Sequence, residues 1–74
     1  MVLGATDTTI EIDGQSYKKG SVRPAYSGGS VSFFFPWFDS TQTLFIGNYD
    51  QVVIDGDVAE SIDQVKDYVN ANFY

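Results

Sequence analysis

The chain contains neither cysteine nor histidine. Disulfide bonds, thiolate and imidazole metal ligands, thiol nucleophiles and histidine general bases are therefore absent together. Most familiar enzyme mechanisms go with them, and neither a cofactor nor a metal is expected. Basic residues are scarce: four Lys+Arg stand against ten Asp+Glu, a net charge of −6. Affinity for nucleic acid comes mainly from basic side chains, so direct binding of DNA or RNA is not expected. No apolar run approaches the ~18 residues of a membrane span, which argues against membrane insertion. The opening Met1-Val2-Leu3-Gly4 is too short and uncharged for a signal peptide, so the virion or the host cytoplasm is the expected location.

What remains is apolar enough to fold. Hydrophobic residues make up 43% of 74 positions, and six Phe, five Tyr and one Trp raise the aromatic share to 16%. Disorder needs low hydrophobicity with high charge, and this chain has neither. A chain of this length makes one domain, 1–74, that buries only roughly 60% of its unfolded surface. With few aliphatic residues, the core is expected to lean on aromatic rings. Small chains without disulfides or metals commonly gain stability from association, which favours self-association or a permanent protein partner.

Local patterns predict an α+β fold: a small antiparallel β-meander of four or five strands with one C-terminal amphipathic helix packed on one face. Thr8-Thr9-Ile10-Glu11-Ile12 alternates and runs into Asp13-Gly14, a strong hairpin signal, with Gln15-Ser16-Tyr17-Lys18 as the returning strand. Gly20 to Gly29, with Pro24 and Gly28-Gly29, reads as a loop. Ser30 to Phe35 is a strand of high β-propensity that Pro36 stops or bends. Thr41 to Ile46 and Gln51 to Ile54 complete the set, the last closed by Asp55-Gly56. Val58, Ile62, Val65, Val69 and Phe73 then fall on one stripe at ~100° per residue, which predicts a helix from about Asp57 to Asn72. Asp57 with Glu60 is a capping-box variant for its start, and Ser61 with Gln64 is a second box one turn later.

Alternation also raises a question of surface. Val31, Phe33, Phe35 and Trp37 share one parity, whereas Phe34, Pro36 and Phe38 share the other. Leu44 and Ile46 oppose Thr43 and Phe45 in the same way. One helix covers one face, which leaves Phe34 and Phe45 uncovered, and Pro36 is expected to interrupt the strand and turn Trp37 and Phe38 outward. Phe34, Trp37, Phe38 and Phe45 are therefore the expected partner interface, an exposed aromatic surface unless the sheet curls to bury both sets.

Other chemistry is weak. Asp55-Gly56-Asp57 with Glu60 lacks the twelve-position ligand pattern of a calcium loop. Asp50 and Asp55 have little chain around them to build a substrate cleft. Gly28-Gly29 has no following Lys-Ser/Thr, so it carries no phosphate-loop signature. Lys18, Lys19 and Arg23 gather three of the four cations within six residues, as edge-strand protection or as an electrostatic dock for an acidic neighbour. The expected function is a non-enzymatic structural or protein-interaction module within an oligomer or larger assembly, most concretely a minor bacteriophage virion component. The alternative is a small acidic inhibitor that mimics nucleic acid.

Overall fold

Two Asp-Gly turns organise half of the fold. In a computed structural model, which describes residues 1–35 and 43–74, Asp13 and Gly14 have φ of 52° and 83°, and Asp55 and Gly56 have 54° and 87°. Positive φ at both central positions is what a two-residue I′ hairpin needs, and Asp and Gly accept it more readily than β-branched residues. The first turn joins β2 (Thr9–Ile12) to β3 (Gln15–Lys18) and the second joins β7 (Val53–Ile54) to β8 (Asp57–Val58). Between these hairpins lies β1 (Val2–Ala5), antiparallel to β2 and parallel to β7, giving a mixed sheet A in the order β3-β2-β1-β7-β8. Asp13 secures this join: its Oδ1 accepts from the Val2 amide at 2.8 Å while its own amide donates to the Val2 carbonyl at 2.9 Å.

The second sheet is a true meander. β4 (Arg23–Ser27), β5 (Ser30–Phe34) and β6 (Thr43–Asn48) form sheet B in that order, all antiparallel. Gly28, with φ 60°, supplies the positive angle that a II′ hairpin requires at its first central position. The α+β class thus holds, but a single meander of four or five strands does not: the described residues form eight strands in two sheets, one of them mixed. Two strands lie where the sequence offers no strand pattern. β1 presents only Leu3 to the core, so it lacks a repeating alternation. β4 occupies the stretch that reads as a loop because of Pro24; the proline is tolerated since β4 is an edge strand, and an edge can spare a donor.

The helix α1 (Ile62–Asn72) starts later than its apolar stripe does. Ser61 caps it, its Oγ accepting from the Gln64 amide at 3.2 Å, while Gln64 Oε1 accepts from the Glu60 amide at 2.7 Å. The Ser61 cap is therefore the one in use, but Gln64 reaches past the Ser61 amide to that of Glu60, so the box is not reciprocal. Asp57 and Val58 belong to β8 because Val58 pairs with Val53, and Ala59 remains tied to that region by donating to the Val52 carbonyl at 2.8 Å. Val58 leaves the stripe and is 53% exposed. At the other end the Gly20 amide donates to the Phe73 carbonyl at 2.7 Å, satisfying one carbonyl that the helix terminus leaves without an intrahelical partner.

Both sheets and the helix contribute to one cluster of buried side chains: Leu3, Ile10, Ile12 and Ile54 from sheet A, Val31 and Phe33 from sheet B, Val65, Val69 and Phe73 from the helical segment, with Val22, Val52 and Ala59 from connections. The aromatic core expected from composition is corrected here. Among the described residues only Phe33 and Phe73 are fully buried rings, their centroids 5.6 Å apart, and Tyr17, Tyr26, Phe35, Phe45, Tyr49 and Tyr68 line the rim half-buried. A small domain has too little interior to enclose many rings, whereas Val and Ile fit.

These placements separate two residues of the original stripe. Phe73→Ala should cost about 3–5 kcal/mol by opening a cavity in the core. Val58→Thr should stay within about 0.5 kcal/mol of the parent, as an exposed β-branched residue exchanged for another. Urea denaturation followed by far-ultraviolet circular dichroism measures both, and comparable losses would put Val58 back among the buried residues.

Candidate interaction surface

Sheet B has one face in the core and one outside it. Val31 and Phe33 are buried, and their cross-strand partners Tyr26, Pro24 and Phe45 share that inner face. The outer face carries Arg23, Ala25 and Ser27 from β4, Ser30, Ser32 and Phe34 from β5, and Ile46 and Asn48 from β6. Ile46, opposite Ser32, is 68% exposed, and Phe34 lies diagonally from it, half-buried. None of these residues is acidic, on a chain whose net charge is −6.

The four residues expected to form an interface distribute unevenly. Phe34 occupies the outer face. Phe45 does not share it: it stands opposite Phe33 and packs against the core. Trp37 and Phe38 lie outside the described residues. The split between Phe34 and Phe45 arises from a β-bulge. Phe33 pairs with Phe45 but Phe34 pairs with Thr43, leaving Leu44 as an extra residue in β6. A bulge re-aims side chains, and here Leu44 and Phe45 both reach the core while Ile46 turns out. Strict alternation across Thr43 to Ile46 cannot express that, so Ile46 goes unnoticed. Its signal is the uninterrupted triplet Leu44-Phe45-Ile46 beside Gly47: a Cβ at position 47 would come within 2.6 Å of the Phe45 ring, so the glycine lets that ring fold across the strand.

A second apolar row lies on sheet A. Val2 pairs with Val53 and Val53 with Val58, placing three valines side by side on the outer face, the first 54% exposed. Glu11 covers part of the neighbouring surface, its Oε2 lying 3.5 Å from where a Gly4 Cβ would stand. The cations do not act as one group. Lys18 is exposed at the end of β3, Arg23 belongs to the outer face of sheet B, and Lys66 lies over the Tyr26 ring, its Nζ 5.2 Å from the centroid. Asp55 sits in its turn, Asp57 in β8 and Glu60 just before the helix. Among the described residues no three His, Cys, Asp or Glu side chains gather as metal ligands would, and no helix is long and apolar enough to cross a membrane.

Tyr26 is the electrostatic outlier. Burial, reinforced by Tyr74, pushes its hydroxyl up to about 12, and that hydroxyl has no hydrogen-bond partner among the described residues. Tyr68 is also raised, first by burial and then by Asp55 and Glu11. Neither tyrosine is poised to exchange a proton near neutrality. Both act as apolar rim groups whose oxygen is incidental to packing.

Comparison with known proteins returned nothing: no family model, no curated protein and no solved structure matches this chain.

Tyr26 supplies the test of the rim. A hydroxyl buried without a partner is a liability, so Tyr26→Phe should leave the melting temperature unchanged or raise it, with the Lys66 contact kept. A raised native pKa means that the unfolded chain releases the proton first. Stability from this group is therefore complete below pH ~10 and declines as pH rises through about 12. Melts recorded from pH 8 to 12 should show a smaller alkaline loss for Tyr26→Phe than for the parent. Equal losses would remove Tyr26 as a source.

Proposed function

We propose that this chain is a non-enzymatic protein-interaction module that packs into a larger assembly, in its most concrete form as a minor component of a bacteriophage virion. The observation that carries the reading is Ile46, 68% exposed on a sheet face that bears Phe34 and no carboxylate. The cores of protein interfaces are depleted in acidic residues and enriched in aromatic side chains and Arg; this face holds Phe34, Ile46 and Arg23 among small polar residues and has no acidic side chain. The lack of His and Cys supports the non-enzymatic half of the reading, and the small size of the chain supports a role inside something larger. The alternative function, mimicry of nucleic acid, needs carboxylates on the working face. Here Glu11, Asp13, Asp55, Asp57, Asp63 and Asp67 are exposed on sheet A, its turns and the helix, Asp7, Asp50 and Glu60 are exposed in connections, and the outer face of sheet B carries none of them.

Phe34→Ser and Ile46→Ser address the proposal directly. Truncating an interface anchor typically costs roughly 2 kcal/mol or more of binding, so each change should weaken capture of whatever co-purifies with the untagged chain from its native source. The melting temperature of the isolated chain should stay unchanged for Ile46→Ser and nearly so for Phe34→Ser. Capture that survives both substitutions but fails in Asp63→Asn with Asp67→Asn would favour the acidic surface.

A further inference from the structure

We propose that two copies of this chain join through β6, antiparallel and centred on Ile46, making one continuous six-stranded sheet from their two B sheets. The proposal deepens the interaction-module reading and rests on it.

The starting point is the way the four sheet edges differ. An exposed edge offers unpaired amides and carbonyls to any passing strand, and proteins blunt such edges with short strands, charge or proline. β8 has two residues, one of them Asp57. β3 ends in Lys18 and is followed by Lys19. β4 begins Arg23-Pro24. β6 has none of these devices: Thr43–Asn48 is six residues long, without charge or proline. In self-pairing, β3, β4 or β8 would each bring a charged residue from both copies into the seam. β6 alone allows two copies of an acidic chain to meet along a seam that holds no charge.

Backbone phase points the same way. The Tyr49 amide donates to the Gly29 carbonyl at 2.9 Å, which marks that pair as hydrogen-bonded across β5 and β6. Bonded and non-bonded pairs alternate in an antiparallel ladder. Val31 with Gly47 is therefore bonded, and Ser32 with Ile46 is not. The amide and carbonyl of Ile46 point away from β5, to the open side. Asn48 supports this phase, because its amide, two residues on, turns outward to Gln51 Oε1 at 2.9 Å. Gln51 thus seals the Asn48 donor, whereas no hydrogen bond among the described residues occupies the Ile46 donor.

Register follows from symmetry. When two copies pair antiparallel with their outer faces on the same side, a two-fold axis can pass through a residue whose polar groups face the seam. With the axis at Ile46, each Ile46 amide donates to the partner's Ile46 carbonyl. The two exposed side chains meet on the outer face as a cross-strand pair, the unit that stabilises sheets. An isologous contact of this kind closes on itself as a dimer and does not run on as a fibre. It also brings the two Phe34 rings onto one shared outer surface, which doubles the face offered to the rest of an assembly.

The chain's lack of cysteine makes the test clean. Sedimentation velocity on the unmodified chain should report a concentration-dependent dimer. Ile46→Cys should cross-link to itself under mild oxidation, and Val58→Cys, at a position of similar exposure, should not. Ile46→Lys should shift the chain to monomer with its circular dichroism spectrum and melt preserved, since the position is exposed and the β5–β6 ladder does not use its amide. The proposal is overturned by a chain that remains monomeric at millimolar concentration, by equal cross-linking at positions 46 and 58, or by a dimer that survives Ile46→Lys. A monomer that still loses its native partner on Phe34→Ser would overturn this dimer alone and leave the interaction-module reading intact.

Discussion

Phe33 is the point on which the rest of the structure depends. Its alternation with Phe34 decides which face of β5 is core, its ring meets Phe73 of the helical segment at 5.6 Å, and its pairing with Phe45 sets the register of β6. Removal of that ring from water ties together three elements that are far apart in sequence. The outward orientation of Phe34 follows from it, because adjacent strand residues cannot both face inward. The bulge at Leu44 then corrects the far strand so that two consecutive apolar residues reach the core, and Ile46 emerges outside as the consequence.

Sheet A solves a different problem. Its hairpins present little apolar area singly, and β1 unites them by pairing antiparallel on one side and parallel on the other. Leu3 and its neighbours Ile12 and Ile54 form a row across three strands, so the inner face becomes continuous only when the parallel pair exists. The same pairing lines up Val2, Val53 and Val58 on the opposite face. Register thus creates the buried row and the exposed one together, and the second apolar surface is a by-product of making the first.

The aromatic residues serve the boundary more than the interior. Phe33 and Phe73 are enclosed, while Tyr17, Tyr26, Tyr49 and Tyr68 pack half-buried against the core at the rim and Tyr74 is exposed. Tyr26 shows the limit of that arrangement, since its oxygen is drawn in without a partner while Lys66 lies over its ring. A chain this small has more rim than centre, so half-buried rings are the economical way to extend its core.

Much of this architecture was legible residue by residue. Asp13-Gly14 announces its hairpin because backbone conformation at a turn is a local property. The Val65, Val69 and Phe73 stripe and the Ser61–Gln64 cap announce the helix for the same reason. β5 is equally clear in Ser30 to Phe34, as is the conflict between Phe33 and Phe34. Asp55-Gly56 carries the same hairpin signal as Asp13-Gly14, yet Val58 fits a helical stripe equally well; its pairing with Val53 decided between them. β1, β4, the bulge at Leu44 and the exposure of Ile46 were decided by tertiary structure alone. Leu3 is a core residue only because Ile12 and Ile54 flank it, Pro24 sits in a strand only because no described strand pairs on its far side, and Leu44 turns inward only because Phe33 already holds Phe45. Those outcomes depend on which strand lies beside which, and strand neighbours are a matter of long-range packing that no window of local sequence contains.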